Sequence, residues 1–226
     1  MSVEFAVISI GALSRNLLWG ETAPVRTSHA TTTLVVEGER RILVDPSLPS
    51  VALDARFFER TGKRLDTITD VFCTTLRPVH RRSIEAFPKA RWWASEVEIE
   101  SHGEALKEML DSAQRLEDDD VARLQADIKL LHRFKPAPDS FGPQVSLYPL
   151  AGCSAGSTGL LLTPATMTVI VAGDAALTAE HVARVQIWEG AVDTDSALKS
   201  LQDLLEMADV IVPGHDNVMV SPQRFI

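Results

Sequence analysis

Apolar and polar positions alternate along the chain in two periodicities, which divide it into short strands and amphipathic helices. Apolar and β-branched residues cluster in EFAVISI, in DTITDVFC and in ATTTLVVEGERRILVD, where a polar EGER separates two runs. Runs of this length bounded by turn residues predict buried strands and, at EGER, a hairpin. Helical spacing first appears at Val51, Leu53, Phe57 and Phe58, and Gly62 supplies a stop signal.

The second half of the chain repeats this order of strands before helices. QVSLYPL, STGLLLT and TMTVIVAGD predict strands, helices are predicted at about 178–185 and 194–207, and VIVPGH ends a last strand. The later helix begins at a DTDS cap and carries Leu198, Leu201, Leu204 and Leu205 on one stripe. Between the halves, residues 96–140 contain two helical stripes separated by EDDD, which fits a solvated helix junction better than an acidic metal site. No linker divides the halves, so we expect one domain over residues 1–226.

Charge and composition narrow the classes of function. The net charge is 22 − 31 = −9 over 226 residues, which disfavours binding to nucleic acid or to an anionic membrane surface. No stretch has 18 uninterrupted apolar residues, and MSVEFAVISIGAL lacks a basic start, so we expect a first strand and neither a membrane span nor a signal peptide. Two cysteines do not make a disulfide framework. We therefore expect a cytoplasmic protein, whose assembly into homo-oligomers the sequence leaves open.

Three predicted strands end on side chains that can bind a metal ion. LRPVH ends at His80, IVAGD at Asp174 and VIVPGH at His215. Each residue alone fits a surface position or a turn, but all three follow hydrophobic strands, and loops at the carboxyl ends of strands form the ligand crevice of open α/β sheets. We therefore predict that the three side chains share one site.

These motifs resemble those of the metallo-β-lactamase superfamily, from the TLVVEGERRILVDPS hairpin to VPGH. The family's T-H-x-H-x-D-H motif corresponds to residues 74–80, its Pro-Gly-His-type loop to LAGCSAG with Cys153 in place of histidine, its bridging aspartate to Asp174 and its last histidine to His215. Asp45 matches a supporting aspartate beside the site. The resemblance implies a four-layer αββα sandwich of the α/β class, with residues 96–140 as a variable segment over the cleft that sets substrate choice.

The resemblance also implies which metal ligands this chain has lost. The positions for a first ion hold Thr75, Arg77 and Cys153, and those for a second ion hold Val79, His80 and His215, with Asp174 between the two. Because a guanidinium has no lone pair to give, Arg77 cannot bind a metal, and we expect it to contact Asp174 instead. The second site keeps His80, Asp174 and His215, which suit a single zinc or iron ion, and occupancy by no metal remains the alternative.

Two functions from different classes follow. The first is a mononuclear hydrolase for a small, anionic ester, thioester, lactone or phosphoester, with Asp174, Arg77 and Cys153 as candidate catalytic residues. Cys153 is a buried thiol, a metal ligand or a nucleophile, and as a nucleophile it would need His80 or His215 as a base. The second is a non-catalytic family member that binds a small anion or a protein partner. Whether the chain is an enzyme is left open by its sequence.

Overall fold

The computed structural model describes residues 2–112 and 118–225, and in it two six-stranded mixed sheets pack face to face. The strands of the first sheet are, in spatial order, β1 (Glu4–Ser9), β2 (Thr32–Glu37), β3 (Arg40–Val44), β4 (Asp70–Phe72), β5 (Arg91–Ala94) and β6 (Phe134–Pro136). The second sheet has, from one edge to the other, β12 (Met219–Val220), β11 (Val210–Pro213), β10 (Val169–Gly173), β9 (Thr158–Leu162), β8 (Val145–Pro149) and β7 (Ser140–Gly142). Helices cover both outer faces: α1 (Ser50–Thr61), α2 (Glu96–Asp111) and α3 (Asp118–Leu131) on the first, α4 (Ala179–Arg184) and α5 (Thr194–Met207) on the second. The predicted αββα sandwich is confirmed.

The alternation of side chains along strands builds the layers. In β3, Ile42 and Val44 point into the core between the sheets, whereas Leu43 points into the core under the helices. The predicted hairpin joins β2 to β3 in antiparallel register, and Gly38 adopts a positive φ of 61° in its turn. Because every buried strand must serve two cores, its apolar residues are nearly continuous.

The predicted helical stripes are only partly buried. Leu53 and Phe57 of α1 are fully buried, but Val51 and Phe58 are 83 % and 52 % exposed. Residues four apart share a helix face, whereas Val51 and Phe58 are displaced from that face by one or two positions. The sequence therefore predicted helix α1 correctly, but of the four apolar residues predicted to form its buried stripe only Leu53 and Phe57 are buried.

The segment 96–140 contributes to the first sheet, because β6 within it pairs in parallel with β5 and completes that sheet. Ile99, Leu130 and Phe134 pack on the outer core of that sheet. Asp118–Asp120 form the first turn of α3, while residues 113–117, which include the start of the acidic run, lie outside the described residues. A role for this segment in substrate choice stays a prediction.

Two parallel strand pairs place the functional loops. The pairs β3–β4 and β10–β11 each run parallel, so both loops that follow a pair leave its sheet at the same end, and contacts of His80 with Asp45 and Asp174 bring the loops of the two sheets together at one edge of the sandwich. Within the described part of the chain, no helix is long and apolar enough to cross a lipid bilayer.

Candidate metal centre

The three side chains that were predicted to share a site converge at this edge. His80 lies in the loop after β4, Asp174 directly follows β10, and His215 follows β11. All three are buried, and one ligand atom from each lies within 4.8 Å of the other two. Such a group can hold one metal ion.

Both histidines direct Nε2 at the same carboxylate. His80 Nε2 lies 3.0 Å from Asp174 Oδ2, and His215 Nε2 lies 3.2 Å from Asp174 Oδ1. Ligands of a tetrahedral zinc ion with bonds of 2.0–2.2 Å lie about 3.3–3.6 Å apart. Asp174 Oδ1 is buried without a hydrogen bond of good geometry, although His215 is close. The three residues therefore fit a single ion after small movements.

The opposite ring nitrogens are anchored from behind. His80 Nδ1 lies 3.0 Å from Asp45 Oδ2, and His215 Nδ1 lies 2.9 Å from the carbonyl oxygen of His29. Asp45 is itself fixed, because the backbone N–H and the hydroxyl of Thr74 both donate to its carboxylate. Metal-binding histidines are commonly oriented by a carboxylate or a carbonyl in this way.

Two glycines allow the loops to approach this closely. Gly173 has a φ of 56°, and a Cβ there would collide with the Thr74 side chain. A Cβ at Gly214 would lie 2.7 Å from the backbone of Gly173 and 2.9 Å from Asp174 Oδ1. The glycines of AGD and PGH thus bring the two strand ends of the second sheet together.

The charged side chains of the site are buried and form ion pairs with one another. Burial acts to lower the pKa of His80, but the carboxylates of Asp174 and Asp45 outweigh it and raise that pKa to about 10. Burial acts to raise the pKa of Asp174, but the charge of His80, the hydrogen bond to it and the nearby His215 hold that pKa well below its usual range. In the absence of a metal, His80 is therefore an imidazolium between two carboxylates at neutral pH.

Arg77 makes the contact that its sequence position predicts. Its Nη1 donates to Asp174 Oδ2 at 2.6 Å, and its guanidinium lies 3.7 Å from the ring centroid of Trp188. The ring holds the arginine from one side by a cation–π contact, and the side chain stays 29 % exposed toward the cleft. In the described part of the chain this is the one hydrogen bond of the guanidinium, so Nε and Nη2 are free to bind a ligand.

A buried glutamate, which the sequence interpretation missed, occupies the region of the lost first metal site. Thr75 Oγ1 and the N–H of Leu76 donate to one carboxylate oxygen of Glu98, at 2.7 and 2.8 Å. Ser154 Oγ and the N–H of Gly156 donate to the other, at 2.7 and 3.1 Å. Glu98 therefore ties the loop of Thr75 to the loop of Cys153. The sequence held one signal, the Ser-x-x-Glu pattern of Ser95 and Glu98, which is typical of a helix start.

The second candidate at the first site, Cys153, is buried against Asp174. Its thiol donates to the backbone carbonyl of Asp174 at 3.1 Å. Burial and the charge of Asp174 raise the pKa of Cys153 to about 12. The positive charge of Arg77 acts to lower this pKa, but its effect is smaller. A thiol with this pKa is protonated at neutral pH and is a poor nucleophile.

Two cavities flank His215. One, of about 210 Å³, is lined by Arg77, Val79 and Trp188 among others, and the other, of about 250 Å³, by Trp19 and Arg26. Trp19, at the end of a short 3-10 helix, and Trp188 therefore border the site.

Comparison with known proteins agrees with the fold and the motifs. The family model described as "Metallo-beta-lactamase superfamily" matches residues 25–215. No curated protein sequence matches the chain.

Several solved structures share the fold at low sequence identity. A Thermotoga maritima protein assigned as a metallo-beta-lactamase superposes with a TM-score of 0.70 at 17 % identity, over 97 % of this chain and 100 % of that one. AidC, described as a dizinc quorum-quenching lactonase, gives 0.65 at 18 % identity, over 82 % and 72 % of the two chains. AiiA of B. thuringiensis, solved with N-decanoyl-L-homoserine bound, gives 0.64 at 18 % identity, over 96 % and 94 %.

Proposed function

We propose that this chain, which belongs to the metallo-beta-lactamase superfamily, is a hydrolase of small esters and lactones that works with at most one metal ion. The observation that carries this proposal is the arrangement of His80, Asp174 and His215, whose donor atoms face one point while both histidines are anchored from behind. The similar structures include lactonases, which supports lactones as the first substrates to test. Thioesters and phosphoesters belong to the same panel.

His80, Asp174 and His215 would hold the ion, and zinc and ferrous iron are the candidates. A divalent ion bound by these residues would supply Lewis-acid activation of a water molecule and of a substrate oxygen. Asp174 stays ionised because its pKa is held so low, so it serves as a ligand and does not store a proton.

Arg77 takes over the electrostatic part of the lost first ion. Its free N–H groups face the cleft beside Asp174, where they can donate to the oxygen that gains negative charge when a carbonyl carbon is attacked. Trp188 limits the rotation of the guanidinium, so these donors are oriented before the substrate arrives. Cys153 has no role in this scheme, because its thiol is protonated and held by a backbone carbonyl.

The charge balance favours a second candidate function. The carboxylates of Asp45 and Asp174 already contact the imidazolium of His80, and Asp174 also contacts the guanidinium of Arg77, so both carboxylates have a cationic partner without any metal ion. A non-catalytic member of the family that binds a small anion at Arg77 would need no more than this.

Metal content distinguishes the two functions. The parent, Val79→Asp and His215→Ala are purified without chelator, incubated with Zn²⁺ or Fe²⁺ and dialysed, and bound metal is counted by elemental analysis. For the hydrolase we expect up to one ion in the parent, tighter retention in Val79→Asp, which adds a carboxylate ligand, and none in His215→Ala. Hydrolysis of an ester and lactone panel should follow the metal content. Equal metal content in all three proteins would reject the metal centre and leave the anion-binding function.

A further inference from the structure

His181 lines the cavity that contains Arg77 and His215. It is the third residue of the short helix α4 and is 5 % exposed. The cavity has a volume of about 210 Å³, and Trp188 forms another part of its wall. This volume equals about seven water molecules at ~30 Å³ each, so a small ligand that fills the cavity contacts several of these side chains at once.

The tautomer of His181 follows from the hydrogen bond of its Nδ1. This nitrogen lies 2.8 Å from the hydroxyl oxygen of Thr178, the N-cap residue of α4. The hydroxyl has a single proton, which it donates to the carboxylate of Glu180 at 3.0 Å. Its oxygen can therefore only accept from the imidazole, so Nδ1 carries the proton of the neutral ring and Nε2 has a lone pair. Among the residues that the structure describes, none donates a hydrogen bond to this Nε2.

The surroundings of His181 keep its imidazole neutral at pH 7. Burial lowers its pKa, the carboxylates of Glu189 and Glu180 oppose this effect, and the positive charges of Arg184 and His215 reinforce it. The resulting pKa lies below the usual range of histidine. A neutral imidazole whose Nε2 has a free lone pair can accept a proton at physiological pH.

The other ionisable side chains that line this cavity are poorly suited to accept a proton. Arg15 and Arg77 are guanidinium groups, which stay protonated. Both ring nitrogens of His215 are directed at other groups, one at a backbone carbonyl and one at the carboxylate of the candidate metal centre. The carboxylate of Glu189 forms an ion pair with Arg15 at 3.7 Å. His181 is therefore the base that the described lining of this cavity offers.

We propose that His181 is the general base of the cleft and that its Nε2 takes a proton from the water molecule that attacks the substrate. As the water oxygen bonds to the carbonyl carbon, one proton passes to Nε2, and the free N–H groups of Arg77 stabilise the negative charge that develops on the carbonyl oxygen. When the bond from this carbon to the leaving oxygen breaks, the electron pair stays on the leaving oxygen and the Nε2–H returns the proton to it. The proposal rests on the proposed hydrolase function, because it assigns a role in that reaction.

Nitrogen NMR tests the tautomer without any turnover. In metal-free protein labelled with ¹⁵N-histidine, we expect His181 to show a protonated Nδ1 and an unprotonated Nε2 at pH 7. The ring should take up its second proton only at a pH below the usual range of histidine. The spectrum of His181→Asn assigns these signals, because it lacks them. A protonated Nε2 at pH 7 would overturn the proposal whether or not an ester is hydrolysed.

The substitution His181→Asn separates the base from the fold. The amide nitrogen of asparagine can replace Nδ1 as a donor to Thr178, whereas nothing replaces Nε2. For the fastest substrate of the ester and lactone panel, which includes δ-valerolactone and phenyl acetate, we expect kcat/KM per bound metal ion to fall about 100-fold or more. The loss of rate that the parent shows as the pH drops through the pKa of His181 should be absent from the variant.

Two further variants show whether the loss is chemical. In His181→Ala, added imidazole should restore part of the rate, because it can enter the space of the lost ring and act as the base. The matched control is His132→Asn, since His132 directly follows α3 and does not line the cavity. It should leave the rate unchanged. Metal content and melting temperature are measured for every variant, and both should stay at the parent values in His181→Asn.

The outcomes distinguish this proposal from the hydrolase proposal. Hydrolysis that His181→Asn leaves undiminished would overturn the role of His181 and leave the hydrolase proposal intact. A loss that follows metal content or unfolding, without rescue by imidazole, would make His181 a structural residue and would also overturn its role. If the parent hydrolyses no member of the panel, the hydrolase proposal fails and the role of His181 as its base fails with it.

Discussion

Arg77 stands where the family motif has a metal-binding histidine, and it changes the chemistry of Asp174. In a two-metal site the bridging carboxylate is neutralised by the ions, whereas here a guanidinium and an imidazolium do so. The contact with Arg77 is short and the carboxylate is buried, so Asp174 depends on these two partners for its charge. The same arginine keeps donors free for a ligand, as the proposed function requires.

Arg77→Leu should destabilise the protein by about 1–2 kcal/mol, because it leaves a buried carboxylate with one partner fewer. The value lies at the lower end because the arginine is 29 % exposed and water can partly replace it. Urea denaturation measures the change, with Arg82→Leu as the control, since Arg82 is exposed and, among the residues that the structure describes, donates only to the carbonyl of Ser28. An unchanged free energy of unfolding for Arg77→Leu would contradict the dependence of Asp174 on Arg77.

The first turn of α2 carries a second substitute for the lost ion. A metal at the first site would link the loop of residues 74–80 to the loop around Cys153, and the four hydrogen bonds of Glu98 make this link instead. The charge of the lost ion and its cross-linking role are thus divided between Arg77 and Glu98. Thr75 occupies a metal-ligand position of the family motif, but here its hydroxyl donates a hydrogen bond to Glu98, which suits a threonine side chain.

Glu98→Gln should cost about 1–3 kcal/mol, because an amide NH₂ would face the N–H of Gly156 and leave it without an acceptor. Glu98→Ala should cost more, since all four donors would lose their partner. Chemical denaturation is the measurement. Glu96→Gln serves as the control, as Glu96 is exposed in the same helical turn. If Glu98→Gln were no more destabilising than Glu96→Gln, the carboxylate would not be the link between the two loops.

The candidate metal site is formed by residues from both sheets of the sandwich. His80 comes from the first sheet, whereas Asp174 and His215 come from the second. An ion bound by all three would connect the sheets and bind only the folded chain. Metal binding should therefore stabilise the entire fold and not just the loops.

Excess Zn²⁺ should raise the melting temperature of the parent, by about 5–10 °C at 100 times the dissociation constant. His215→Ala should show no such shift. At one fixed zinc concentration, the shift should be larger at pH 8 than at pH 6. The pKa of His80 is about 10 without metal, so zinc must displace a proton from its Nε2, and this competition weakens as the pH rises toward 10. A thermal shift that is independent of pH would show that His80 is not a ligand.

The sequence by itself determined the order of the elements and the family. Strand runs and helical stripes are local patterns, and the motif positions of Asp45, His80, Asp174 and His215 are fixed along the chain, so each could be identified without a fold. The contact of Arg77 with Asp174 was also predictable, because a charged group at a lost ligand position needs a counter-charge nearby.

Only the tertiary structure decided how those residues are held and what surrounds them. The anchor of His215 is the backbone carbonyl of His29, and a carbonyl has no signature in the sequence. The carboxylate of Glu98 meets its four donors only because α2 packs beside two loops that are far from it in the chain. Likewise, the exposure of Leu198 and the left-handed turn at Val185 depend on which surfaces remain uncovered after packing. Patterns along a chain report local preference, whereas contacts between distant segments depend on the geometry of the complete fold.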